Sequence, residues 1–445
     1  MDHPSKQRLH RARRQRLLDA MGGDAVALFR THRAARRSND TEYRFRPHSD
    51  FYYLTGLSEP EAACVLKPGA ERPYRLFVRP RDPERETWDG RRVGLEGALA
   101  AYGADGAAPI GTLEASLMEL LAGTSTVYVR LGEDPSFDAA LLAAVATLRA
   151  RERRGAQAPR TLVDPSVLLH EMRLRKGDDE LATLRRAASI TAEAHRAAMG
   201  ATRPGVGEHE LEALIDYTFR VRGGTGAGYT TIVGGGANGT VLHYIDNCAP
   251  LNAGELVLVD AGCEYDWYTA DVTRTWPVSG TFTPLQRRAY EIVLEAQLAA
   301  IERATPGSSL DRLHEGAVEV LTRGMLELGL LSGSVAERIA DRSYARYYMH
   351  RTSHWLGLDV HDVGRYDDGK GGARPLESGF VLTVEPGLYV PTDAADAPEG
   401  LRGLGIRIED DVVVTERGPE VLTAGIPKTV AEVEAVVGRG AAPSR

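Results

Sequence analysis

The apolar positions of the chain follow different rhythms in its two parts. In the first, short runs rich in β-branched and aromatic residues predict strands: "AVALF" (25–29), "YRLFVRP" (74–80) and "TVYVR" (126–130). "DAALLAAVATLRARERR" (138–154) has the spacing of an amphipathic helix. This part reads as an α/β domain. Glycine, proline and charge then gather near 155–176, in "GAQAPRTLVDPSVLLHEMRLRK", which reads as a linker. The expected domains are 1–172 and 173–445.

The second part opens with a long helix expected over "DDELATLRRAASITAEAHRAAM", capped by Asp178 or Asp179, with His195 on its face in no special role. Helical spacing returns at 207–222, 284–304 and 309–328. Between these lie runs of Val, Ile and Gly at 229–245, 254–278, 376–390 and 401–415. Strand runs bounded by helices on one side predict an α+β domain, an antiparallel sheet covered by helices. Each half passes from helices into hairpin-like material, which points to an internal duplication without clear sequence repeats. "GGGANG" (234–239) lacks the Lys-Ser/Thr of a phosphate loop and reads as a loop near an active site. The closing "RGAAPSR" reads as a frayed tail.

Composition narrows the class. The 445 residues exceed one ordinary core, and 43% hydrophobic with 26% charged residues is the balance of a soluble globular protein. A net charge of −8 argues against nucleic acid or an anionic membrane as partner, and no apolar run reaches the length of a membrane helix. Cys64, Cys248 and Cys263 form no CxxC pair, give no disulfide framework and fit a reducing cytoplasm, the expected location. The Arg-rich N-terminus lacks the apolar region of a secretory signal. It reads as a cationic surface helix with Leu9, Leu17, Leu18 and Met21 turned inward.

Chemistry concentrates in the second part. "HRTSHWLGLDVHDVG" (350–364) holds three histidines, a pattern that fits a metal grip, a catalytic relay or a plain loop. Carboxylates stand where the surrounding pattern predicts core. Asp260 ends "ELVLVD" and Asp271 lies on the returning strand of a hairpin; Glu385 closes "FVLTVE"; Glu409 follows "GIRI". Single acids in such runs often bridge to arginines or cap turns. Four of them with a His-rich loop between make a hard, thiolate-free ligand set, suited to Mn²⁺ or a similar divalent ion, with two ions sharing an activated water. Arg407, two residues before Glu409, is expected on the same strand face, orienting that carboxylate.

"VLHY" (241–244), "LVDAGCEYDWYTADVTRTWPV" (258–278), the 350–364 segment, "VLTVEPGLYV" (381–390) and "GIRIEDDVVVT" (405–415) resemble the signature segments of the pita-bread metallopeptidases. The nearest subfamily by these segments is the aminopeptidase P group. "RPHSDFYYLTGLSEPEAACVL" (46–66) and "ETWDGRRVG" (86–94) resemble that group's N-terminal segments. The resemblance implies a pita-bread catalytic domain behind an aminopeptidase P-type domain. It implies a metallo-exopeptidase for peptides with proline second, acting through a metal-bridging hydroxide, with prolidase as the alternative on the same site.

Carried over position by position, it makes Asp260, Asp271, His354, Glu385 and Glu409 the ligands of two divalent ions, Mn²⁺ foremost and Co²⁺ or Zn²⁺ next. Asp271 and Glu409 would bridge, Asp260 would complete one site, and His354 with Glu385 the other. His243, His350 and His361 become catalytic, substrate-binding donors; beside them the chemistry makes Glu385 the expected general base and Arg407 a catalytic residue that orients Glu409. Relatives assemble as homodimers or homotetramers, which the resemblance extends to this chain, with Trp88 contributing across a subunit boundary. His3, His10, His32, His170, His209 and His314 have no partner legible in the sequence, and His48 is expected to support the fold.

Overall fold

The computed structural model describes residues 3–440, with side chains from Lys6 onward. Residues 441–445 of the tail and the side chain of His3 therefore lie outside the described residues. The chain divides into two compact units, 1–172 and 173–445.

The first unit is a six-stranded sheet with helices. Its strand order is Gly106–Pro109, Tyr74–Val78, Ala63–Leu66, Ala25–Arg30, Thr126–Val129, Thr161–Val163. Ala25–Arg30 runs parallel to Thr126–Val129 and antiparallel to Ala63–Leu66. Val26, Leu28, Phe77, Val127 and Phe137 lie in its core. The supposed linker is mostly ordered structure. Its Thr161–Val163 adds the sheet's last strand, and Ser166–Leu174 is helical. The three residues of Thr161–Val163 are enough for an edge strand but too few to show a period. The N-terminal helix His3–Met21 buries Leu17 and Met21 as expected, but also two of its arginines. Arg14 donates to the Leu54 carbonyl at 2.7 Å and lies 3.8 Å over the Tyr74 ring, and Arg13 lies 4.0 Å over Tyr53. His48 caps the helix Ser49–Thr55 through Nδ1, which accepts the Asp50 N–H at 3.2 Å.

The second unit repeats one order of elements. Helices Asp178–Ala201 and Glu208–Val221 precede a three-stranded antiparallel sheet of Ile232–Gly235, Leu256–Asp260 and Thr273–Pro277. Helices Pro284–Glu302 and Leu310–Glu327 precede a second, of Val381–Val384, Asp410–Thr415 and Gly418–Val421, beside the pair Gly387–Val390 and Leu404–Arg407. One apolar core joins the halves, from Ile190 and Phe219 through Val257 and Trp276 to Tyr290, Leu321 and Val412.

Local chemistry starts these helices where expected. Thr283 and Gln286 cap each other reciprocally with Pro284 at the first position, and Ser309 Oγ accepts the Arg312 N–H. The helix Asp178–Ala201 differs: Gly177 is its cap, with the Gly177 N–H held by Glu180 Oε2 at 3.1 Å, while both aspartates lie in the first turn. Of the run 229–245 only Ile232–Gly235 forms a longer strand, followed by the short helix Gly236–Thr240. Among the described residues no helix is long and apolar enough to cross a membrane.

Candidate metal centre

Every residue of the strands Leu256–Asp260 and Thr273–Pro277 is buried, which explains the apolar run of Leu256–Val259 and puts Arg274 inside the core. Their register sets Asp260 opposite Thr273. Between them the chain makes a tight excursion through Cys263–Tyr265 and Tyr268–Thr269, turning at Asp266 and Trp267, which have φ of 52° and 69°. A Cβ at Gly262 would stand 1.7 Å from the Ala270 carbonyl oxygen, so the excursion closes only on glycine. Asp271 is thus not on the returning strand but in the link just before it. Asp411 holds it there, its carboxylate accepting the Asp271 N–H at 3.1 and 3.2 Å.

The second half brings the remaining groups. Residues 352–355 lie alongside Val381–Val384: the His354 carbonyl accepts the Thr383 N–H at 3.0 Å and the Thr352 carbonyl accepts the Glu385 N–H at 2.9 Å. His354 and Glu385 are therefore placed by shared backbone hydrogen bonds. Glu409 is tied to the first half, its N–H donating to the Thr273 carbonyl at 3.0 Å and its Oε2 accepting from Thr273 Oγ1 at 2.7 Å. Behind it, fully buried Arg274 holds the Glu409 carbonyl and pairs with Asp410 at 2.7 Å. Lys428 Nζ also reaches Asp410 at 2.7 Å.

The five predicted ligands face one another. One donor atom each of Asp271, His354 and Glu409 fall within 4.8 Å of one another. His354 Nε2 is 3.3 Å from Asp271 Oδ2 and 3.6 Å from Glu385 Oε1. His354 Nδ1 lies 3.0 Å from the Trp355 carbonyl, which fixes Nδ1 as the protonated nitrogen and turns Nε2 to the acids. Burial opposes charge on His354, but its hydrogen bond to Asp271 and the charges of Asp271 and Glu385 raise its pKa to about 9.

Burial and mutual repulsion also push three of the acids up from their usual range. Glu385 is raised to about 7, Asp260 is raised, and Glu409 is raised well above a normal carboxyl. Four carboxylates share the site with one arginine. That deficit of positive charge, on oxygen donors with one imidazole and no thiolate, fits divalent cations.

Asp260 rests between Tyr229, which donates to Oδ1 at 2.5 Å, and Arg407, which donates to Oδ2 at 2.6 Å. This corrects the expectation for Arg407. Its strand ends at Arg407, so the same-face rule does not extend to Glu409, and the guanidinium meets that carboxylate only through Thr273 Oγ1, at 2.9 Å from Nε. Its other arm donates to Tyr389 Oη at 3.1 Å.

His350 also differs from expectation. Nδ1 is 2.8 Å from the Arg351 carbonyl and Nε2 is 2.9 Å from Tyr389 Oη, so both ring nitrogens are engaged within the protein. It joins the Arg407–Tyr389 chain rather than offering a free donor to substrate. Burial and the Arg407 charge lower its pKa to about 4.

His243 and His361 are exposed. The His361 ring stands 4.5 Å from that of His354 at 88°, and its pKa is lowered by burial and by the His354 charge. Asp362, next to it, is clamped by Lys176 Nζ at 2.9 Å and Arg173 Nη2 at 2.5 Å, all three buried.

Several contributors were not foreseen. Tyr229, Thr273, Tyr389 and Asp411 hold the ligands; the doublet Asp410-Asp411 inside an apolar run was the one signal available. His195 is fully buried, its Nε2 3.0 Å from the Ala261 carbonyl behind Asp260. His314 Nδ1 lies 2.9 Å from Thr352 Oγ1, next to the ligand loop. Trp88 sits 83% exposed on Pro83–Asp89 in the first unit.

Comparison with known proteins agrees with this geometry. Residues 182–416 match the model of metallopeptidase family M24, and residues 10–128 match the aminopeptidase P N-terminal domain. The chain is 44% identical to Escherichia coli Xaa-Pro aminopeptidase over 98% of its own length and 99% of the relative's. It is 37% identical to Streptomyces coelicolor Xaa-Pro aminopeptidase 1, over 89% and 80%. The structure of Pseudomonas aeruginosa aminopeptidase PepP superposes with a TM-score of 0.94 at 47% identity, covering 97% of both chains. A zinc-substituted E. coli aminopeptidase P in complex with product gives 0.93 at 44%, covering 97% of this chain and 98% of the other.

Proposed function

This chain belongs to metallopeptidase family M24 and carries the aminopeptidase P N-terminal domain, and on that footing we propose that it hydrolyses the bond between an N-terminal residue and a following proline. The observation that carries this reading is the convergence of Asp260, Asp271, His354, Glu385 and Glu409 beside the exposed imidazoles of His243 and His361. In the proposed arrangement two divalent ions would be held by Asp260, Asp271, His354, Glu385 and Glu409, with Asp271 and Glu409 serving both, Asp260 one, and His354 with Glu385 the other. Manganese is the ion we expect, with cobalt or zinc suited to the same donors. Bound there, such ions supply an acidified water and a Lewis acid for the scissile carbonyl.

The chain's own groups do the rest. Glu385, beside the attacking water, would accept its proton and return it to the departing proline nitrogen. His243 and His361 donate to the carbonyl oxygen as negative charge develops on it. A proline amide has no N–H, so the site needs no acceptor for one. Arg407 neutralises part of the carboxylate charge at Asp260 and, through Tyr389, fixes the His350 ring. The proposed state is a homodimer or homotetramer, measurable by sedimentation.

The test compares Arg-Pro-Pro with Gly-Pro, on metal-stripped protein with and without Mn²⁺. Mn²⁺-dependent cleavage of the tripeptide over the dipeptide supports the aminopeptidase, and the reverse preference makes it a prolidase. Replacing His361 by alanine is expected to lower kcat about 10²- to 10³-fold with metal content intact. Loss of metal instead would show that His361 belongs among the ligands.

A further inference from the structure

The segment that presents His243 has almost no regular structure to hold it. Between the short helix Gly236–Thr240 and the strand Leu256–Asp260 no described residue lies in a strand. Its exposure alternates over 241–245: Val241, His243 and Ile245 face outward, while Leu242 and Tyr244 pack against Ile232, Leu258 and Tyr389. Apolar packing on two side chains leaves the backbone groups of the segment needing partners of their own.

One buried side chain ties the segment down at both ends. Glu208 opens the helix Glu208–Val221 and has no exposed surface. Its Oε1 accepts the Gly235 N–H at 2.8 Å and Asn238 Nδ2 at 3.0 Å. Its Oε2 accepts Tyr244 Oη and the Ala249 N–H, both at 2.8 Å. A single carboxylate thus pins the chain before and after His243, including the residue next to it. Four donors and the helix N-terminus compensate the buried charge in place of a cation. Asn247, at φ 45°, adds a second pin: its Oδ1 accepts the Val233 N–H at 2.9 Å and its Nδ2 donates to the Thr231 carbonyl at 2.8 Å.

We propose that Glu208 is a positioning residue for peptide hydrolysis, fixing the loop that aims His243 at the scissile carbonyl. This rests on the reading of His243 as a carbonyl donor, and the test separates the two. H243A is measured first, with Arg-Pro-Pro as substrate and Mn²⁺ present. E208Q keeps the shape but turns one acceptor oxygen into an amide that faces two donors. It is expected to lower kcat about 10- to 100-fold, with metal stoichiometry unchanged and KM moved less than kcat. In the H243A background, E208Q is expected to cost almost nothing more.

Y244F removes one of the four contacts without touching Glu208, and keeps the test alive where E208Q folds poorly. It is expected to lower kcat a few-fold, again only when His243 is present. Losses that multiply in the double variants would overturn the proposal, as would full activity of both single variants beside an impaired H243A. Undiminished turnover in H243A would remove the premise, and the proposal with it.

Discussion

The carboxylates of the centre and its two outer histidines are held in different ways. Asp260, Glu385 and Glu409 sit at strand ends, where ladder hydrogen bonds and buried apolar neighbours fix the backbone before any side chain is considered. His243 and His361 sit on irregular chain, and each depends on a buried charged group beside it: Glu208 for one, Asp362 with Arg173 and Lys176 for the other. Regular structure delivers position as a by-product of folding. Loops obtain it only from specific side-chain anchors, each of which single substitutions can remove.

The largest effect should come from breaking the strand-borne side. Withdrawing divalent metal leaves four crowded carboxylates without compensation, so turnover should fall to the assay background and return with added Mn²⁺; full activity after verified stripping would contradict the metal reading. On the loop side, Asp362→Ala takes the buried carboxylate away from Lys176 and leaves Arg173 its pair with Asp359. Urea unfolding should show a loss of about 3–5 kcal/mol, and a change under 1 kcal/mol would mean that the clamp does not hold that loop.

A third experiment probes the strand side through pH. Burial lowers the His195 pKa to about 4 from an ordinary 6.5, so the folded protein binds fewer protons than the unfolded chain between those values. Stability is whole above pH 6.5 and declines as pH falls toward 4, by up to about 3 kcal/mol from this group. His195→Gln should flatten that part of the stability profile, and an unchanged slope would assign the decline elsewhere. The smallest effect belongs to the link between the two regions. Tyr389→Phe leaves Arg407 and His350 without a shared partner, with an expected loss of about 10- to 100-fold in metal affinity or turnover, read by titration and kcat.

The same contrast explains what the sequence revealed. The acids of the candidate centre were legible because an acid inside an apolar, β-branched run contradicts its surroundings, and Asp260, Glu385 and Glu409 each do. Asp271 was found but misplaced, since nothing local announces an excursion that depends on Gly262 lying against Ala270. The Arg407 partner was misjudged because period-two reasoning ends where the strand ends. His350 was grouped with His243 and His361 by the family resemblance, and its Nε2 partner Tyr389 lies 39 positions away in the sequence. Glu208 and Asp362 were invisible for a related reason: an acid at a helix start or after a histidine looks solvated until its distant partners are known. Helices with capping boxes and long amphipathic faces, such as Pro284–Glu302, came through well because their determinants are local.

The division of ligands between repeated halves has a consequence for how the protein is made. Asp260 and Asp271 come from the first half, and His354, Glu385 and Glu409 from the second. Arg407 closes on Asp260 across 147 residues. At ordinary rates of synthesis the first ligands leave the ribosome on the order of ten seconds before the last. Throughout that interval no complete metal site exists, and the early aspartates wait as ordinary acids on a nascent chain. On the proposed ligand assignment, the full donor set comes together only after Glu409 has been made, so loading with metal would follow synthesis of nearly the whole catalytic unit.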